Sequence, residues 1–144
     1  MTRLYPDRPF VGVGVVVWRG ADVLLVRRAK PPREGRWSIP GGVQQIGETL
    51  VEAAVREVRE ETGLTVEITG LLDAVDSIER DASGDVRRHY SLIDFAADWR
   101  AGEAAPADDV SEVTWADPDA LAAFDLWTET LRVIRLSAAR RRDG

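Results

Sequence analysis

The sequence has no cysteine and only one histidine among its 144 residues. It therefore has no disulfide, no thiolate nucleophile, no cysteine-ligated zinc or iron–sulfur site, and no metal site built from several histidines. No apolar run reaches the ~20 residues that a transmembrane helix needs, and the opening segment MTRLYPDRPF lacks the apolar middle of a signal peptide. We therefore expect a cytoplasmic protein with no membrane partner.

Positive charge is also in short supply. The chain carries 19 Lys and Arg against 25 Asp and Glu, which gives a net charge of -6. This balance argues against a nucleic-acid polymer as partner, because binding a phosphate backbone needs a basic surface. The length and the hydrophobic content of 44% fit one globular core. We therefore expect residues 1–144 to form a single domain.

What the sequence does contain is a dense group of carboxylates between Gly42 and Leu64. Glu57, Glu60 and Glu61 share one face of a predicted helix, because a helix completes a turn every ~3.6 residues. Like charges at this spacing repel one another. Mg²⁺ or Mn²⁺, which prefer hard oxygen ligands, would offset that repulsion.

The residues around this helix fit the same chemistry. Arg56 can orient a neighbouring carboxylate through a charge-assisted hydrogen bond. Gly41 and Gly42 are predicted to form a tight turn whose carbonyl oxygens can join the metal ligands, and Glu48 lies between this turn and the helix. The alternative is an acidic, solvated helix face with ordinary i to i+4 ion pairs. That alternative explains the spacing of the glycines and Glu48 poorly.

The glutamate-bearing helix has clear predicted ends. Thr49 and Glu52 are spaced as a capping box, and Gly63 stands where a left-handed stop residue is common. Ala53 is predicted on the acidic side, where its small side chain leaves room for a ligand. The apolar stripe predicted to face the core consists of Val51, Ala54, Val55 and Val58.

The rest of the chain predicts a mixed α/β architecture. The predicted strands are Val11–Trp18, Val23–Arg27, Arg36–Pro40, Thr65–Ser77 with a break near Gly70, Arg88–Ala97 and Glu112–Trp115. The later predicted helices are Asp119–Phe124 and Thr128–Arg141. This order of elements indicates a mixed sheet sandwiched by helices.

The segment from Gly42 to Leu64 resembles the signature of the Nudix hydrolases. Gly42 is followed after five residues by Glu48, and after seven more by the run REVREETGL that starts at Arg56. Every fixed identity of the signature is present without a gap, and Val58 and Leu64 fill its two hydrophobic positions.

This resemblance implies an α/β (α+β) fold, an α/β/α sandwich around a mixed β-sheet. It implies an enzyme that uses Mg²⁺ or Mn²⁺ to cleave a phosphoric anhydride bond in a nucleoside diphosphate linked to another moiety. Homodimers are common among similar enzymes. The metal-facing residues implied by the signature are Glu57, Glu60 and Glu61, with the carbonyl of Gly41 or Gly42.

Further catalytic roles follow from the same resemblance. Arg56 is expected to orient a glutamate, and Glu48 to assist the metals or brace the loop. The signature leaves the general base open. Glu112 is one candidate for it, and Glu79 and Asp81 are others, although the favoured interpretation of each is an ordinary surface acid.

Substrate choice in such enzymes lies outside the signature. The window 77–81 has neither the proline typical of ADP-ribose-specific relatives nor the tyrosine typical of dinucleoside polyphosphate hydrolases. The run RRHY at 87–90 is similar to that of small bacterial ADP-ribose pyrophosphatase-like members. ADP-ribose or another nucleoside diphosphate sugar is the first candidate, and an ordinary or oxidised nucleoside triphosphate is the second. A non-catalytic nucleotide-sensing domain is the remaining alternative.

Three residues are candidates for direct substrate contact. Arg27 and Arg28 leave a predicted strand and can offer planar guanidinium groups to phosphates, or they can simply solubilise the strand end. Trp37 can stack on a base, or it can belong to the core like most tryptophans.

Overall fold

A mixed β-sheet forms the centre of the molecule, in a computed structural model that describes residues 3–31 and 33–143. Within these residues the sheet has seven strands. They are β1 (Phe10–Arg19), β2 (Asp22–Arg28), β3 (Trp37–Ser38), β4 (Gly41–Val43), β5 (Thr65–Arg80), β6 (Val86–Ala101) and β7 (Val110–Ala116). The helical elements of the same residues are α1 (Leu50–Thr62), α2 (Thr128–Asp143) and a 3₁₀ turn over Leu121–Phe124.

Strand β1 is the hub of the sheet because it pairs with three other strands. It runs parallel to β6, with Phe10 opposite Tyr90 and Trp18 opposite Asp98. On its other side it runs antiparallel to β4 near its start and to β2 near its end. β5 pairs with β6 in a long antiparallel hairpin, and β3 and β7 pair with β2. The sheet is therefore mixed, as predicted.

Successive side chains of β1 enter two different hydrophobic cores, because side chains alternate between the faces of a strand. Val15 and Val17 are completely buried in the core that includes α1. Val16 is completely buried in the core on the opposite face, together with Val133 and Ile134 of α2. Both faces of the sheet are thus covered by helices, which confirms the predicted α/β/α sandwich.

Helix α1 begins and ends at the residues that the sequence predicts. The backbone N–H of Glu52 donates to the hydroxyl of Thr49 at 3.1 Å, and the N–H of Thr49 donates to the Glu52 carboxylate at 2.9 Å. This is the predicted capping box. Gly63 ends the helix in the left-handed conformation with φ of 76°, and its N–H donates to the carbonyl of Arg59.

The buried face of α1 differs from the predicted apolar stripe. Val51 was expected to face the core but is 46% exposed, whereas Ala53, expected on the acidic side, is completely buried. Positions 53, 57 and 61 are four residues apart and lie above one another along the helix. Glu57 and Glu61 therefore continue the face that meets the sheet, and the helix does not separate an apolar side from an acidic side.

Two other predicted elements also differ. β5 is continuous from Thr65 to Arg80, and the irregularity expected at Gly70 is a register shift between Ile68 and Gly70. The predicted helix Asp119–Phe124 is a single 3₁₀ turn, which stops at Asp125 in a left-handed conformation with φ of 50°. Among the described residues, no helix is long and apolar enough to span a membrane.

Candidate active site

A cleft of about 1100 Å³ opens beside α1 and β4. One wall carries residues that the sequence predicts to face a metal, namely Gly41, Gly42, Glu57, Glu60 and Glu61. Residues of β6, the residue before α2 and the first turn of α2 also line the cleft, namely Tyr90, Leu92, Asp94, Trp127 and Thr130. The cleft therefore joins an acidic end to an end that is mainly aromatic and apolar.

The glycine pair at the acidic end is not the predicted turn. Gly41 and Gly42 are extended residues of β4, paired with Gly14 and Val13 of β1. A side-chain carbon on Gly41 would overlap the carbonyl oxygen of Val13, and one on Gly42 would overlap the carboxylate of Glu57. Glycine is therefore needed here for close approach, so that β4 can lie against both β1 and α1.

Gly42→Ala is expected to lower turnover about tenfold or more, because the added methyl group displaces the Glu57 carboxylate. Overpacking at this contact is expected to cost about 1–3 kcal/mol of unfolding free energy. The matched control is Gly70→Ala, a strand glycine with open space around its missing side chain. Steady-state hydrolysis and urea unfolding of both variants test this, and a Gly42→Ala enzyme as active as the control would contradict it.

Glu61 lies at the most enclosed point of the acidic end. Its side chain is buried, with the residue 6% exposed, and its carboxylate accepts a hydrogen bond of 2.8 Å from the N–H of Gly41. Burial, reinforced by the charge of nearby Glu57, raises the pKa of Glu61 to about 8. A carboxylate held in this way gains strongly from a cation that replaces its proton.

Arg56 donates hydrogen bonds to three other glutamates at the acidic end. Its guanidinium donates two hydrogen bonds to Glu48, at 2.5 and 2.9 Å. The same group donates to Glu57 at 2.9 Å and to Glu60 at 3.1 Å. Glu52, which helical spacing also places near Arg56, binds Thr49 in the capping box instead.

The pKa values of the two carboxylates bound most closely to Arg56 are shifted in opposite directions. Hydrogen bonds from Arg56 and from the backbone N–H of Gln45 lower the pKa of Glu48, which is thereby fixed as an anion. Burial raises the pKa of Glu57, although Arg56 opposes the rise. Glu48 thus anchors Arg56 and the loop before α1, while Glu57 keeps an oxygen-rich edge toward the cleft.

The candidate substrate residues fall into two places. Arg28 and Trp37 line the cleft. Arg27 forms an ion pair of 3.0 Å with Glu112, and neither of these two is among the described residues that line the cleft. Their roles in phosphate binding and proton transfer therefore stay predictions.

The other two candidate bases also have partners. Glu79 lines the cleft, where Arg88 binds it at 2.7 Å and lowers its pKa. Asp81 accepts a hydrogen bond of 2.8 Å from the Tyr5 hydroxyl, which lowers the pKa of Asp81. Both carboxylates are weaker proton acceptors in this state than an unpaired one.

The donors at the acidic end suit a hard divalent cation. Glu57, Glu60 and Glu61 supply only carboxylate oxygens, which Mg²⁺ and Mn²⁺ prefer. Within residues 3–31 and 33–143, no three acidic or histidine side chains are grouped closely enough to hold a metal ion as they stand. Arg56 pairs with Glu57 and Glu60 instead, and the N–H of Gly41 donates a hydrogen bond to Glu61. Binding a metal requires the carboxylates to exchange those partners.

Sequence reasoning missed the buried carboxylate Asp94 in the cleft. Asp94 lies on β6 directly opposite Gly14 of β1, and it is only 7% exposed. The run GVGVVV in β1 held a signal for it, because a glycine among strand valines often marks a close approach of another group.

Asp94 gives the fold a measurable pH dependence. Burial, with a further effect from the charge of Asp73, raises the pKa of Asp94 from its usual 3.8 to about 6. Below the lower value the carboxyl is protonated in both the folded and unfolded chain, so it contributes no difference. Between the two values only the folded chain keeps the proton, and the free energy of unfolding falls as pH rises. Above the higher value the buried charge costs about 3 kcal/mol.

Asp94→Asn is therefore expected to be more stable than the parent protein at pH 7, and to lose that advantage toward pH 4. Urea unfolding at several pH values measures the difference. A difference between the two proteins that does not change with pH would contradict the assignment.

Known proteins are similar to this chain in fold and in sequence. The family model described as NUDIX domain matches residues 8–136. An ADP-ribose pyrophosphatase of Methanocaldococcus jannaschii is 38% identical over 125 residues, which cover 85% of this chain and 71% of the relative. A putative 8-oxo-dGTP diphosphatase 2 of Mycobacterium tuberculosis is 35% identical over 115 residues, covering 76% and 81%. The crystal structure of MutT NUDIX hydrolase from Burkholderia pseudomallei matches with a TM-score of 0.79 and 29% identity, covering 90% of this chain and 98% of that one. The chain therefore belongs to the Nudix hydrolase family.

Proposed function

We propose that this Nudix hydrolase cleaves the phosphoric anhydride bond of a nucleoside diphosphate linked to another moiety, with ADP-ribose as the first candidate and Mg²⁺ or Mn²⁺ as cofactor. The observation that carries the proposal is the enclosure of Glu57 and Glu61 between α1 and the glycine strand β4, at one end of the cleft. Carboxylates are costly to bury without a cation. A site for divalent metal and diphosphate explains why they are held there.

Each residue at the acidic end has a distinct part in this proposal. Glu57, Glu60 and Glu61 would hold the metal, which supplies Lewis-acid chemistry and a more acidic water when bound. Arg56 positions Glu57 and Glu60, and it is itself fixed by its two hydrogen bonds to Glu48. Arg28 lines the cleft and offers a guanidinium to a phosphate oxygen.

The shape and lining of the cleft support a substrate larger than a mononucleotide. Its volume of about 1100 Å³ is slightly above the usual range for small-molecule sites. Several cations border the cleft and can meet the two phosphates. They are Arg28, Lys30, Arg33, Arg36 and Arg88. The name of the Methanocaldococcus relative also favours ADP-ribose.

A second candidate is a nucleoside triphosphate, ordinary or oxidised. It is favoured by the Mycobacterium relative, a putative 8-oxo-dGTP diphosphatase that is 35% identical to this chain. The acidic end serves either substrate equally well, because both carry the diphosphate group that it would bind. Only the residues at the other end of the cleft separate the two.

A substrate panel tests the proposal. ADP-ribose, NADH, diadenosine polyphosphates, nucleoside triphosphates and 8-oxo-dGTP are incubated with the enzyme and Mg²⁺, and the products are separated by chromatography. ADP-ribose is expected to give AMP and ribose 5-phosphate with the highest kcat/KM. A Glu57→Gln preparation, purified identically, controls for contaminating hydrolases. A clear preference for 8-oxo-dGTP would establish the second candidate, and no metal-dependent cleavage of any compound would overturn both.

A further inference from the structure

Asp94 is a buried carboxylate with no protein partner among the described residues. Within residues 3–31 and 33–143 its side chain accepts no hydrogen bond and forms no ion pair, although the residue is only 7% exposed. No side-chain polar atom in this part of the chain is both fully buried and unpaired. The oxygens of Asp94 must therefore reach the open cleft, whose wall includes this residue.

The fold keeps space for this carboxylate. A side-chain carbon on Gly14 would overlap an oxygen of Asp94, so the glycine clears the place that the carboxylate occupies. Asp94 shares its face of β6 with Leu92 and Ala96, which pack into the core beneath α2. The carboxylate thus lies between apolar strand neighbours on the α2 side of the sheet, while the glutamates project from α1 on the other side.

The charges around Asp94 disfavour a phosphate as its ligand. Asp73 and Glu129 add negative charge near it, and Arg132 is the cation that acts on it. Arg132 is already bound by Asp73 at 2.9 Å and by Glu129 at 2.5 Å. We therefore expect an uncharged or positive group next to Asp94. That group has to donate a hydrogen bond to the carboxylate, because the carboxylate loses its bound water when the group covers it.

We infer that Asp94 is a specificity-determining residue whose carboxylate accepts a hydrogen bond from an N–H or O–H group at the uncharged end of the substrate. That group is either an amine of the nucleobase or a hydroxyl of a sugar, since both offer the same neutral donor. Tyr90 and Trp127 line the same end of the cleft and provide aromatic surface for a base. The inference rests on the proposed function, because it assigns the phosphates to the acidic end and the remainder of the substrate to this end.

The test compares Asp94→Asn with the parent enzyme on ADP-ribose and on the hypoxanthine analogue inosine diphosphate ribose. The analogue replaces the amine of adenine with a carbonyl, places a proton on the neighbouring ring nitrogen N1 and leaves both sugars unchanged. The matched control is Asp98→Asn, which alters the same strand but lies at an ion pair with Arg141 outside the cleft. Circular dichroism and urea unfolding verify that each variant is folded.

If Asp94 binds the base amine, the parent enzyme prefers ADP-ribose, and Asp94→Asn reduces that preference about tenfold through KM. If Asp94 binds a sugar hydroxyl, KM rises about tenfold for both substrates while kcat is retained. Either result supports the inference. Unchanged KM values for both substrates, or a loss confined to kcat, would overturn it.

A binding measurement separates failure of this inference from failure of the proposed function. Calorimetric titration with AMP and with ADP-ribose, without metal, reports on Asp94 even if the parent enzyme cleaves nothing in the panel. Weaker binding to Asp94→Asn than to Asp98→Asn supports the inference on its own. Equal affinities of the two variants for both compounds refute it, whatever the parent enzyme hydrolyses.

Discussion

Glu61→Gln is expected to lower kcat about 100-fold or more while leaving the far-ultraviolet circular dichroism unchanged. The substitution keeps the size of the side chain and retains an oxygen that can accept from the N–H of Gly41, so β4 should stay against α1. It removes the most enclosed carboxyl group of the cleft, which would become a negatively charged ligand when a metal displaces its proton. An amide oxygen is a much weaker ligand for Mg²⁺ than a carboxylate.

The same helix provides the control for this substitution. Glu52→Gln also removes one charge from α1, but Glu52 serves the capping box, where glutamine is an accepted replacement. We expect this variant to keep near-parental activity. Stopped assays with a substrate from the panel, at saturating metal, measure both. Equal kcat values for the two variants would show that the reaction does not use the enclosed face of α1.

The second large effect is expected from removing divalent metal. Treatment with a chelator should abolish hydrolysis, and Mg²⁺ or Mn²⁺ should restore it. Metal that binds only the folded chain also stabilises it, by about 2.7 kcal/mol at a concentration 100 times its dissociation constant. That corresponds to a rise in melting temperature of about 5 °C or more for a domain of this size.

Metal binding at Glu61 should also be detectable as the release of a proton. The raised Glu61 pKa of about 8 means that the metal-free carboxyl retains its proton near neutral pH. A metal that binds this carboxylate must expel the proton, so titration with Mn²⁺ in weak buffer should release acid. Glu61→Gln should lose both the proton release and the gain in melting temperature. Hydrolysis that persists in excess chelator would contradict a metal-dependent reaction.

Local signals in the sequence were enough to place α1 and its ends. Thr49 and Glu52 form the predicted capping box, and Gly63 stops the helix, because each of these roles depends only on residues a few positions away. The set of carboxylates that lines the acidic end was predicted for a similar reason. Helical spacing fixes how Glu57 and Glu61 lie relative to each other.

The errors concern features that depend on distant parts of the chain. The pair Gly41-Gly42 is locally typical of a turn. Glycine is needed at these positions for another reason: a side chain on Gly41 would overlap Val13 across the sheet, and one on Gly42 would overlap Glu57 on the helix. Ala53 is buried because α1 turns its glutamate side toward β4, which no local pattern of hydrophobic residues reveals. Asp94 was missed because only the parallel pairing of β1 with β6 brings it beside a glycine 80 positions earlier.

The register of the central strands allows the residues at one end of the cleft to be substituted independently of those at the other end. Gly14 pairs with Asp94 on one side and with Gly41 on the other, and the N–H of Gly41 donates to Glu61. The paired backbones of β1 and β4 thus lie between the side chain of Asp94 and the carboxylates of α1. Substitutions around Asp94 can retune which compound is accepted without disturbing the bond-breaking machinery, which makes the α2 face the natural place to redesign this enzyme.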